Sequence, residues 1–237
     1  MISARHLLIS TGLATPFFCI AAPATQAQVL PVFENGQAQI VADFADASTW
    51  IRHDLWVETE FDSDGDGELD RVHVDVTRPS QTNTEGLRVP VIYESSPYYS
   101  GTGTLDLSYF WNVRQQVGAD PPMRTPMPDI AHRPEEPIIS NSLVRTWVPR
   151  GFAVVHSQSP GTGQSQGCPT IGGENESLAP KAVIDWLNGR VRGFTSVDGN
   201  ELVTAEWSTG RVGMTGASYD GTLEPQAFAE LGFGWTF

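Results

Sequence analysis

The stretch Arg211-Val212-Gly213-Met214-Thr215-Gly216-Ala217-Ser218-Tyr219-Asp220-Gly221-Thr222-Leu223 decides how this chain is read. A short apolar strand, Arg211 to Thr215, runs straight into small residues around a serine, and a helical pattern resumes from Leu223 to Leu231. A serine on a sharp strand-to-helix turn is lifted clear of the sheet, and the N–H of the next residue, here Tyr219, faces the same space. That is the layout of a nucleophile elbow, in which the N–H steadies a developing oxyanion. Gly216 stands two before Ser218, but the glycine expected two after it is displaced to Gly221, with Asp220 in its place. Gly-x-Ser alone is as easily a chance turn. The strand before it and the helix after it are what raise the match.

Upstream, Gly151-Phe152-Ala153-Val154-Val155-His156 has the composition of a buried strand, Ala179 to Leu187 that of a helix, and Val89 to Glu94 that of another strand. Leu55 to Phe61 and Arg71 to Thr77 alternate apolar with polar residues, and the turn-rich segment Asp62 to Asp70 joins them as a hairpin. Strands followed by helices in this order specify an α/β fold. Between them, Tyr98 to Trp147 holds Pro121, Pro122, Pro126, Pro128, Pro134 and Pro137, and reads as a long irregular excursion. No internal repeat or Ser/Gly linker divides residues 28–237, which are read as a single catalytic-type domain.

Composition narrows the partners. With 237 residues, 40% hydrophobic and 18% charged, the chain is long enough to bury a sizeable core. Lys+Arg 14 against Asp+Glu 28 leaves a formal net charge of -14 with no basic run, which argues against nucleic acid or an anionic lipid surface. Met1 to Ala27 carries one early cation, Arg5, then the apolar stretch Leu7 to Ala22, then small residues ending in Ala27. This is a secretory signal-peptide pattern, cleaved after Ala24 or Ala27, so a secreted or periplasmic product is expected. Gly12 and Pro16 interrupt the stretch, and no other segment reaches the roughly 18 apolar residues that a membrane span needs. Cys19 would leave with the leader, and Cys168 alone forms no intrachain disulfide.

Asp62-Ser63-Asp64-Gly65-Asp66-Gly67-Glu68-Leu69-Asp70 places carboxylates at positions 1, 3, 5 and 9 of a calcium loop, with glycine at 6. The twelfth position is His73, where such a loop has a bidentate Glu, and strands replace the flanking helices. A solvated Asp/Gly hairpin turn is the simpler alternative. A Ca²⁺ held by Asp62, Asp64, Asp66 and Asp70 would be structural. The glycine-rich loop Gly161 to Gly167 lacks the Gly-Lys-Ser/Thr ending of a phosphate cradle, so nucleotide binding is rejected.

Gly-Ala-Ser-Tyr-Asp-Gly-Thr at 216–222 resembles the Gly-x-Ser-Tyr-x-Gly-Thr signature of the Xaa-Pro dipeptidyl-peptidases, serine peptidases of the α/β-hydrolase fold. Lys181 to Arg190, Gly161 to Gly167 and Ser96-Pro97-Tyr98 match the family in consistent order, so the resemblance runs over residues 52–223. It implies Ser218 as the acylating nucleophile, the backbone N–H of Tyr219 as one oxyanion donor and the hydroxyl of Tyr98 as the other. It implies release of N-terminal Xaa-Pro dipeptides from proline-containing peptides, with no cofactor required.

One departure stands out. An α/β-hydrolase supplies Ser, then Asp or Glu, then His in chain order. All five histidines (His6, His53, His73, His132 and His156) precede Ser218, and nineteen residues follow it. The expectation is therefore an N-terminal portion of the fold, truncated after the elbow and its helix and inactive for want of a base. His156 ends a strand near the site, but as base it would violate the triad order. Two alternatives remain: an acylase or carboxylic ester hydrolase on the same scaffold, and a non-catalytic exported binding module.

Overall fold

The computed structural model describes residues 28–99, 117–120 and 139–231. Residues 1–27, read above as a signal peptide, and most of the Tyr98–Trp147 excursion lie outside the described residues. The described part opens with a short hairpin, β1 (Phe33–Glu34) and β2 (Gln37–Ala38). β3 (Ile51–Glu58) and β4 (Arg71–Arg78) form the expected antiparallel hairpin, with Leu55 opposite Val74 and Val57 opposite Val72. β5 (Val89–Ser96), β6 (Ala153–Gln158), β7 (Gly193–Phe194), β8 (Leu202–Val203) and β9 (Ser208–Met214) complete a seven-stranded sheet in the order β8-β7-β3-β4-β6-β5-β9. β6, β5 and β9 run parallel, and β4 pairs antiparallel with β6. Sequence reasoning did not anticipate β1, β2, β7 or β8, because two-residue strands carry no periodicity.

Two single-turn helices, α1 (Gln81–Thr84) and α2 (Val144–Trp147), precede the longer α3 (Glu174–Leu187) and α4 (Asp220–Glu230). The sequence expectation began α3 at Ala179, beside Pro180. It begins instead at Glu174, because Gly173 caps it and two acids, Glu174 and Glu176, complement the positive end of its dipole. Pro180 then costs one interior hydrogen bond without ending the helix.

Alternation explains the core. One sheet face presents Leu55, Val57, Val72, Val74, Val76, Val91, Tyr93, Ala153 and Val155 to Ala182, Val183, Trp186 and Leu187 of α3. Trp186, 1% exposed, also donates its Nε1–H to the carbonyl of Val203 at 2.8 Å. Truncating such an indole to alanine costs about 3–5 kcal/mol. On the opposite face Val154 packs with Val144 and Val148. α3 packs against α4, so the helix that follows the elbow is held by the helix that covers the core.

Candidate active site

β9 ends at Met214, and the Thr215 N–H still donates to the carbonyl of Tyr93 at 3.0 Å, so the turn leaves the sheet next to β5. Ser218 follows with φ +57, one of three non-glycine residues at positive φ among the described residues. Such a conformation costs a residue with a side chain roughly 1–2 kcal/mol. The surrounding turn enforces it. A Cβ on Gly216 would stand 2.7 Å from the backbone carbon of Asp220, and one on Gly221 would stand 3.0 Å from the carbonyl oxygen of Gly216. Both positions need glycine because backbone meets backbone there. The displaced glycine of the motif thus has a geometric reason. Ser218 itself is exposed, as a reacting hydroxyl must be.

Tyr98, beyond the carboxyl end of β5, meets Tyr219, the residue after Ser218, beyond the carboxyl end of the parallel neighbour β9. Tyr98 lies two residues beyond β5, its N–H donating to Ser96 Oγ at 3.1 Å and its side chain 48% exposed. Its ring meets that of Tyr219 edge to face, with centroids 6.3 Å apart. Acids gather close by. Burial and the neighbouring Glu94 push both Asp220 and Glu224 above the usual carboxylate range, with Ser96 opposing the effect at Asp220.

His156 is engaged elsewhere. Completely buried on β6, it faces Asp75 across the β4–β6 pairing, with Nδ1 2.9 Å from Oδ1. Its Nε2 lies 3.1 Å from Ser142 Oγ, and that hydroxyl donates to Glu94 at 2.8 Å. Asp75 also accepts the N–H groups of Ile139, at 2.6 Å, and Ser140, at 3.3 Å. The network anchors the end of the excursion to the sheet. Among the described residues, no histidine hydrogen bond reaches Ser218.

The acidic turn is organised around its own backbone. Oxygens of Asp62, Asp64 and Asp70 lie within 4.8 Å of one another, but Asp66 is not in that group and accepts the Glu68 N–H instead. Asp62 accepts the N–H groups of Gly65 and Gly67 at 2.7 and 2.9 Å. Asp70, only 3% exposed, accepts from Ser63 Oγ at 2.5 Å, and Ser63 Oγ accepts the Cys168 N–H at 2.9 Å. The turn therefore docks on the glycine-rich loop. Gln158 braces that loop from beneath by accepting the Gln164 N–H at 2.8 Å.

Glu176, bonded to Tyr219, and Asp75, bonded to His156, are both buried, and both escaped the sequence reading. Neither carried a signal of its own: Asp75 sits among the polar positions of an alternating strand and Glu176 in the polar first turn Glu174-Asn175-Glu176-Ser177 of α3.

The profile of the family described as X-Pro dipeptidyl-peptidase (S15 family) matches residues 64–231. A Rhodopirellula baltica protein, provisionally named as an Xaa-Pro dipeptidyl-peptidase, is 59% identical over 203 residues, covering 86% of this chain and 32% of its own length. The Xaa-Pro dipeptidyl-peptidase of Ligilactobacillus salivarius is 36% identical over 219 residues, covering 83% of this chain and 27% of its own. The chain thus spans about a third of the length of these curated relatives. Among solved structures, a CocE/NonD family hydrolase from Staphylococcus aureus superposes with a TM-score of 0.40 at 18% identity, over 73% of this chain and 24% of that one.

Proposed function

The chain belongs to the X-Pro dipeptidyl-peptidase family S15, and from that premise we propose that it carries the nucleophile half of a serine peptidase releasing N-terminal Xaa-Pro dipeptides. The observation that supports this most is Ser218 at φ +57, exposed on a turn closed by Gly216 and Gly221 between β9 and α4. In the proposed reaction Ser218 Oγ attacks the carbonyl carbon of the substrate's penultimate proline. The carbonyl oxygen becomes an oxyanion facing the Tyr219 N–H and the Tyr98 hydroxyl, each such donor contributing about 3–4 kcal/mol in comparable sites. The bond to the third residue breaks, its nitrogen leaves with a proton, and water then releases the dipeptide from the acyl-enzyme. The proposal places the base that takes the Ser218 proton outside the described residues, since no histidine hydrogen bond among them reaches Ser218 and the His156 Nε2 lies against Ser142 Oγ.

No cofactor enters this chemistry. Export through a signal peptide cleaved after Ala24 or Ala27 is part of the same proposal, and N-terminal sequencing of the secreted product tests it. Among the described residues, no helix is long and apolar enough to cross a membrane.

A fluorophosphonate probe tests the nucleophile. Slow labelling at Ser218 that disappears in Ser218→Ala is expected, with no turnover by this chain alone and, once a base is supplied, turnover of Xaa-Pro amides ahead of simple esters. Preference for simple esters would instead favour an acylase or esterase. A folded protein that does not label would favour a non-catalytic exported module.

A further inference from the structure

We propose that Glu176 is a positioning residue of the elbow, holding Tyr219 by its phenol so that the oxyanion donors keep their place beside Ser218. The proposal rests on the reading of Ser218 as nucleophile. Glu176 lies in the first turn of α3 and is 2% exposed, a burial that a carboxylate tolerates only with strong donors. It has two: the Tyr219 O–H at 2.5 Å and the Gly172 N–H at 2.6 Å. The same Gly172 N–H lies 2.9 Å from Tyr219 Oη, which closes a three-membered polar contact.

This is not ordinary helix capping. Glu176 occupies the third helical position, from which a capping-box glutamate reaches back to the N–H of the cap residue, here Gly173. Its carboxylate instead takes the N–H of Gly172 and crosses to a residue 43 positions away, on the far side of the α3–α4 packing. Burial and the Glu176 carboxylate both push the Tyr219 phenol upward, so it stays protonated and remains a donor.

The leverage follows from the position of Tyr219. It is the residue after the strained Ser218, and its backbone N–H is the proposed oxyanion donor. Fixing the far end of its side chain restricts the rotation of its backbone, and the same ring bears on Tyr98, which carries the other donor. One carboxylate thereby sets two donors, and misplacement by about 1 Å at such a site costs up to 10²-fold in rate.

The experiment uses the full chain with Glu176→Ala, Glu176→Gln, Tyr219→Phe and the Glu176→Ala/Tyr219→Phe double variant. The rate of Ser218 modification by a fluorophosphonate is followed by mass spectrometry, alongside the Tyr219 amide resonance by NMR. Glu176→Ala is expected to slow labelling about tenfold or more. Glu176→Gln, whose amide oxygen still accepts the phenol proton, should recover the rate to within about threefold. Tyr219→Phe should reproduce Glu176→Ala, and the double variant should add nothing, as expected for two groups acting through one contact. Tyr219→Phe removes only a hydroxyl and serves if Glu176→Ala does not fold. A folded Glu176→Ala labelled at the unsubstituted rate, or additive single effects, overturns the proposal. If the unsubstituted chain does not label at all, the nucleophile reading fails and the resonance decides alone: displacement in Glu176→Ala that Glu176→Gln reverses upholds the tether, and an unmoved resonance overturns it.

Discussion

The carbonyl oxygen of Gly216 lies 3.0 Å from the point that a Cβ on Gly221 would occupy, so the two glycines of the elbow face each other across the turn. The glycine at 221 is therefore the partner of the glycine at 216, and Asp220 is free to begin α4. A motif with its second glycine displaced still closes, because the close approach moves with it.

Alanine at either glycine must open this contact. Gly216→Ala drives its Cβ toward the Asp220 backbone at 2.7 Å, and a backbone neighbour cannot rotate away. A loss of about 1–3 kcal/mol is expected for Gly216→Ala, with a smaller loss for Gly221→Ala. Denaturant titration of the two variants checks the order, and unchanged midpoints would show that the turn is looser than described.

Ser218 should be a source of instability. Ser218→Gly removes the penalty of φ +57 while Ser218→Ala keeps it, so the glycine variant should be more stable than the alanine variant by about 1 kcal/mol. For a chain of this size that is roughly 2–4 °C in Tm. Equal melting temperatures would mean that the backbone is not strained.

His53, on β3, gives stability a dependence on pH. Burial, and then the charge of Arg78, hold its pKa below the ordinary 6.5, with Asp54 and Asp75 opposing. The unfolded chain takes up this proton more readily, so the contribution is complete above about pH 6.5 and is lost as pH falls through the lower folded value. His53→Gln should flatten the decline in Tm between about pH 7 and 5. Parallel curves for the two proteins would assign the decline to other groups.

The acidic turn makes the fourth prediction. Asp62→Ala strips acceptors from the Gly65 and Gly67 N–H groups and should lower stability by about 1 kcal/mol. Melting in millimolar Ca²⁺ against chelator reads the ion separately. A rise in Tm that Asp64→Asn abolishes would assign structural calcium to Asp62, Asp64 and Asp70, whereas an unchanged melt leaves the turn to its backbone caps.

The legible parts of the site share a property. The β3–β4 hairpin shows in the alternation of Leu55, Val57, Val72 and Val74, because one face of each strand is buried against α3. The elbow shows in Gly216, Ser218 and Gly221 because a tight turn restricts the residues that make it. The start of α3 was less legible, since Pro180 resembles a first helical residue and Gly173 is a weak cap. His156 read as a polar strand end, and only the cross-strand register shows that its ring belongs to Asp75.

By itself, then, the sequence determined the α/β order of elements, the serine turn and the membership of a peptidase family. The first two rest on signals carried within a few residues, a period of two and glycine where backbone approaches backbone, and the third on several such motifs in consistent order along the chain. The tertiary structure alone decided which distant polar groups meet. Sheet register set Asp75 opposite His156, and the packing of α3 on α4 brought Glu176 to Tyr219 across 43 residues. Spacing along the chain holds no record of those meetings, because they depend on how two elements pack and not on what either one is.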